Sequence, residues 1–260
     1  MQEACVTIRR FEVRGANEEG RSPSPSLHSS FEPRTSNFYT PRMGRIHLGT
    51  IFGTTITLDF TFIILIAFFV FSYAQQVGMR DALLWAPVLF ISILIHELAH
   101  AAAIGTFGFG PSAIVLGGIG GVTINQRRAK PWQDFLISFA GPASSLLLAF
   151  AVSRLPPTRD PFFHALIPLL LWANIVWGIF NLMPVGPLDG ASMLRNFLRL
   201  FLSEKTAFVI SIWTSIVVGV LLALLGLWSR QFFLSLLMLW YVYSSYSQWQ
   251  LFRAYKRPDE

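Results

Sequence analysis

Residues Ile91–Gly105 read ISILIHELAHAAAIG, three ionisable side chains in an otherwise apolar run. The run extends from Leu83 to Phe107, long enough for a membrane helix, which needs about 20 mostly apolar residues. An ionisable group near the centre of such a helix costs ~2.5–3.5 kcal/mol. His96, Glu97 and His100 therefore need a compensating partner. Spacing of four puts His96 and His100 on one helix face, one turn apart, where both imidazoles can ligate one Zn2+. Glu97 sits beside them, placed to take a proton from water at the metal. In a soluble helix the same pattern arises by chance; at membrane depth chance is a weaker account.

Composition agrees with a membrane setting. The 260 residues are 53% apolar and only 13% charged, where a soluble domain carries about a quarter. Mean hydropathy is +0.52. Five further stretches read as spans: Leu58–Tyr73 (longer if residues from Ile51 join it), Phe135–Leu155, Phe162–Leu182, Ala207–Leu227 and Phe232–Phe252. The expected fold is an all-α polytopic membrane protein, with about six transmembrane helices and a small membrane-associated β-hairpin.

Basic residues orient the bundle. On one side fall Arg34, Arg42, Arg45, Arg127, Arg128, Lys130, Arg195, Arg199, Lys205, Arg253, Lys256 and Arg257. The other side has Arg80, Arg154, Arg159 and Arg230. The twelve-to-four bias predicts a multi-pass protein of the cell membrane with both termini in the cytoplasm. The net charge of +6 reads as this anchoring. No basic run is interleaved with stacking aromatics, so nucleic acid is not an expected partner. The single cysteine, Cys5, excludes an internal disulfide and a multi-cysteine metal site.

The hairpin is expected within Gly108–Lys130, where β-branched runs flank Gly117, Gly118, Gly120 and Gly121. One run is Ala113, Ile114, Val115 and Leu116; the other is Val122, Thr123 and Ile124. These residues are candidates for pairing with an extended substrate by strand addition. The alternative is a surface hairpin with no such role.

A zinc site with two histidines needs a third protein ligand and an open position. The candidate is Asp189, in IFNLMPVGPLDGASML, where Pro184 and Pro187 end the preceding helix. Asp189 could instead cap the helix that follows. Asn174 and Asn181, seven apart on one face, are candidates for binding substrate or oxyanion; interhelical hydrogen bonding is the alternative for both. His47, Asp59, Asp134 and His164 read as structural. Residues 1–44 read as a disordered, Ser- and Pro-rich tail ahead of a membrane domain at 45–260, with Met43 offering a second start.

These motifs resemble the site-2 protease family of intramembrane zinc metalloproteases, in its compact form without PDZ or CBS domains. The resemblance rests on HELAH at 96–100 and NLMPVGPLDG at 181–190. FGTTITLDFTF at 52–62 and DFLISFAGPASS at 134–145 support it more weakly. It implies one Zn2+ per chain held by His96, His100 and Asp189, with Glu97 as general base and Asn181, less surely Asn174, at the substrate. It also implies an active site opening to the cytoplasm and single-span membrane substrates, such as anti-sigma factors, tethered transcription factors or signal-peptide remnants. The chain departs from the family pattern at Ala191–Ser192, and at Ser145, where an Asn often stands. Two rivals remain: a metal or proton transporter, which should show a second broken helix, and an inactive scaffold, which should show a damaged motif.

Overall fold

A computed structural model describes residues 44–255, apart from residue 119 and residues 127–128. The chain divides between Arg42 and Met43, and the described residues lie in the second unit. The expected tail, apart from Gly44, and Arg34, Arg42, Arg127, Arg128, Lys256 and Arg257 fall outside them.

The first expected span begins later than its apolar run. Strands β1 (Arg45–Ile51) and β2 (Thr54–Asp59) form an antiparallel hairpin before helix α1 (Phe60–Val77). The β-branched TTITL favours a pleated surface, and Asp59 ends it by capping α1. Its Oδ1 accepts from the Thr61 amide at 3.1 Å and the Thr61 hydroxyl at 2.7 Å, while Arg45 Nε donates to Oδ2 at 3.3 Å. A short helix α2 (Met79–Ala82) then leads into α3 (Trp85–Thr106), which carries HELAH.

After α3 come β3 (Ala113–Gly117) and β4 (Gly120–Ile124), then α4 (Pro131–Ser153) and α5 (Pro161–Asn181). The chain ends in α6 (Asp189–Leu198), α7 (Glu204–Trp228) and α8 (Phe232–Tyr255). The expected hairpin is half of a four-stranded sheet ordered β1-β2-β3-β4. β2 and β3 pair in parallel, with α1 to α3 as the crossover between them. Pairing between residues 58 apart in sequence, such as Thr55 and Ala113, leaves no local pattern to read.

Among the described residues, five helical stretches are long and apolar enough to cross a membrane, one of them running from α2 through α3. The sixth expected span, α8, is as long but more polar over Tyr241–Gln250, YVYSSYSQWQ. It folds back antiparallel on α7: Ser235 donates to the Ala223 carbonyl at 3.0 Å, and Gly219 leaves room for Val242. α3 is the most buried of the spans, whereas α1 turns Ile64, Phe68 and Phe71 outward. Such outward apolar side chains suit a lipid surround. The molecule is a multi-pass membrane protein.

One core cluster joins the sheet to α1 and α3 through Ile56, Phe62, Leu65, Ile93, Ile114 and Leu116. A second packs Val70, Trp85, Leu89 and Leu169 between α1, α3 and α5. A third sets Val185 and Leu188, ahead of α6, against Ala223, Met238 and Tyr241. The last cluster anchors the loop that presents Asp189.

Candidate metal centre

Four residues on α3 are enough to place two imidazoles on one face. His96 and His100 are both buried, with ring centres 5.0 Å apart and planes at 78°. Asp189 enters from the first turn of α6, its Oδ2 lying 3.0 Å from His96 Nε2 and 3.3 Å from His100 Nε2. One donor atom from each residue falls within 4.8 Å of the other two. The N-cap of α6 is Leu188, which makes no side-chain cap bond. The Asp189 carboxylate therefore faces the histidines rather than capping its own helix.

α4 sets how the rings are turned. The Ile137 carbonyl lies 2.6 Å from His100 Nδ1, and a carbonyl can only accept. Nδ1 thus carries the N–H, and in the neutral ring Nε2 presents its lone pair towards Asp189. Ser145, fully buried, places its hydroxyl 3.0 Å from His96 Nδ1. Gly141 lies midway between these two residues, on the same face of α4. A Cβ there would collide with His100 Nε2 and stand 2.6 Å from His96 Nε2. Ile137, Gly141 and Ser145 together form a bed for the two rings. In the sequence Ala-Gly-Pro and Ser145 stand out only as points of resemblance and departure; their contact with HELAH depends on how α3 packs on α4.

Gly190 does a similar job for Asp189. A Cβ at Gly190 would strike the Leu182 and Met183 carbonyls, so α6 starts hard against the end of α5. The Asp189–Gly190 pair couples a ligand-type side chain to the one residue that fits this approach.

Glu97 is buried and lies under β4. The Thr123 hydroxyl donates to Glu97 Oε2 at 2.6 Å. Gly121, two residues earlier and on the same strand face, has no side chain where a Cβ would come within 2.5 Å of Glu97 Cγ and 2.7 Å of Oε1. The glycine cluster is thus more than a turn. Gly118 turns at φ +61°, Gly117 clears Asp59, and Gly121 clears Glu97.

The remaining candidates separate. Ala113, Ile114, Val115 and Leu116 form an interior strand, bonded to β2 on one side and β4 on the other. They cannot accept an added strand, which corrects the expectation for that run. Val122, Thr123 and Ile124 lie in β4, whose outer edge pairs with no other strand among the described residues. Asn174 is fully buried, and its amide donates to Ser92 Oγ at 2.9 Å and to the Leu170 carbonyl at 2.8 Å. It links α5 to α3 one turn before His96, the interhelical alternative. Asn181, the last residue of α5, donates to the Trp177 carbonyl at 2.9 Å. His47 and His164 are exposed, Asp59 caps α1, and Asp134 lies 4.0 Å from Arg199.

The architecture is a helical membrane bundle with a small sheet beside an HExxH helix, to which an Asp is brought from a later helix. The Site-2 Protease from Methanocaldococcus jannaschii shares the fold, with a TM-score of 0.58 and 24% identity over 78% of this chain and 94% of that one. Residues 159–224 match Peptidase family M50, a segment that contains Asp189, Asn174 and Asn181. Rip3 of Mycobacterium tuberculosis is 33% identical over 59% of this chain and 43% of its own length. A zinc metalloprotease of M. jannaschii is 30% identical over 70% of this chain and 52% of its own. The chain thus spans about half the length of these relatives. Its likeness to Peptidase family M50 lies in residues 159–224, and its fold is like that of the solved site-2 protease.

Proposed function

We propose that this chain is an intramembrane zinc endopeptidase that cuts single-span membrane proteins within or beside their transmembrane segment. The observation that carries the reading is the convergence of His96 Nε2, His100 Nε2 and Asp189 Oδ2, with Glu97 adjacent on the same helix. Two imidazoles and one carboxylate suit Zn2+ and leave a fourth position open, as catalytic zinc sites require. The partners at both Nδ1 atoms favour the ring orientation that ligation through Nε2 needs. One Zn2+ per chain would be held by these three side chains. When bound, zinc supplies a Lewis acid that polarises the scissile carbonyl and acidifies water.

The chain's own residues do the rest. Glu97 Oε1, not engaged by Thr123, accepts the proton of the attacking water and returns it to the leaving amine nitrogen. A helical substrate hides its carbonyls, so it unwinds, and the outer edge of β4 replaces its lost hydrogen bonds. Gly121 keeps that strand close to Glu97. Asn181, at the end of α5, is a candidate to bind substrate.

The basic bias favours both termini in the cytoplasm, and the likeness to site-2 proteases supports a site that opens to the same side. Residues 45–260 form the protease unit. Fitting substrates are anti-sigma factors, membrane-tethered transcription factors or signal-peptide remnants. Comparative membrane proteomics of cells with the native chain and with Glu97→Gln tests the reading. Single-span fragments should accumulate in the variant; identical fragment populations would overturn it.

A further inference from the structure

Where α7 begins and α8 ends, the two helices line a cleft of about 450 Å³. Its rim carries Lys205, Thr206 and Arg253. Its wall is apolar: Val209, Ile210, Trp249 and Phe252. We propose that this cleft binds one anionic phospholipid, the phosphate between Lys205 and Arg253 and an acyl chain along Val209, Ile210 and Trp249.

Three observations point to that occupant. The cations are unspent: neither Lys205 nor Arg253 has a carboxylate partner among the described residues. The acidic neighbour, Glu204, lies 3.8 Å from Arg199 instead. The cleft is also graded, with charge and hydroxyl at the outer end and hydrocarbon further along α7, the polarity order of a lipid. Lastly, aromatic rings pack at this level: Trp249 stacks on Phe252 at 5.8 Å, and Phe252 and Trp249 pack against Phe208 and Trp213. Aromatic rings of this kind concentrate at membrane interfaces. A soluble anion would use the rim and leave the apolar wall bare. A zwitterionic lipid would place its own cation beside Lys205 and Arg253.

The inference stands on the charge and shape of the α7–α8 cleft and does not depend on catalysis. The test uses full-length protein in nanodiscs of equimolar phosphatidylglycerol and phosphatidylcholine, with retained lipid read by native mass spectrometry. The native chain should retain phosphatidylglycerol preferentially. Each basic residue near a membrane surface strengthens anion binding about fivefold, so Lys205→Gln with Arg253→Gln should cut the preference about 25-fold. Lys205→Gln alone, a change at an exposed position, should cut it about fivefold and serves if the double variant does not fold. Removing two cations elsewhere, Arg154→Gln with Arg230→Gln, should leave it intact. Absence of a preference in the native chain would overturn the proposal. So would an unchanged preference in the Lys205 and Arg253 variants, an equal fall in the control pair, or displacement of the lipid by excess inorganic phosphate.

Discussion

The Ser145 hydroxyl sits 3.0 Å from His96 Nδ1, inside the bundle and with no exposure to solvent. This contact joins α4 to the HELAH helix on the side of the ring turned away from Asp189. Outer partners of this kind fix which nitrogen faces a metal. Losing one typically costs 10- to 100-fold in metal affinity or activity.

Ser145→Ala should therefore weaken zinc binding about 10- to 100-fold in a chelator competition on purified protein. Ser145→Thr or Ser145→Asn, which keep a group able to accept from Nδ1–H, should recover part of the loss. Equal affinity for Ser145→Ala and the native chain would remove Ser145 from the metal site.

Exchanging Glu97 for Gln should abolish peptide cleavage while zinc content stays near one per chain by elemental analysis. Asp189→Asn should behave differently, losing zinc as well as activity, because it weakens the anionic donor itself. A Glu97→Gln protein that cuts at the native rate would refute the base assignment.

Gly121→Ala is expected to slow cleavage about 10²-fold, since displacing a reacting group by even an ångström has that effect. The added Cβ would lie 2.5 Å from Glu97 Cγ, so strand or carboxylate must shift. Gly118→Ala adds a methyl group with nothing within 4 Å, although at a positive φ. It should cost stability more than rate. Comparing the two variants by turnover and by thermal melting separates a site effect from a fold effect.

Asp59 provides a pH test outside the membrane. The Thr61 hydroxyl, then the Thr61 amide and Arg45, hold its carboxyl below the ordinary 3.8. A depressed folded value means the cap contributes fully above the ordinary carboxylate range. It is lost as pH falls through the lowered value. Asp59→Ala should destabilise the protein by about 1 kcal/mol at neutral pH, with the difference from the native chain shrinking in acid. Melting curves across that range would check the sign.

The parts legible in the sequence were those that rest on local spacing. His96 and His100 are one turn apart on any α-helix, and the prolines of MPVGP end α5 wherever they occur. Asp189 could be singled out because a two-histidine site needs a third donor. What escaped were relationships between distant segments. The parallel pairing of β2 with β3 turned an expected edge strand into an interior one. Arg45–Asp59 read as the approach to a span because its apolar residues merge with those of α1. Ser145, Gly141 and Gly121 matter through what lies across from them, which spacing does not reveal. Asn174 has its N–H groups on Ser92 and its own helix, a pairing that depends on how α5 packs on α3 and that spacing does not reveal.

His96 and Asp189 meet across 93 residues of chain. During synthesis the HELAH helix emerges long before the aspartate that completes its set of donors. A nascent chain halted ahead of α6 would hold the two imidazoles without the Asp189 carboxylate that meets them in the folded chain. Gly190, wedged against the Leu182 and Met183 carbonyls, ties completion to the seating of α6 on the end of α5. The donor set is thus complete only once the second half of the molecule is in place.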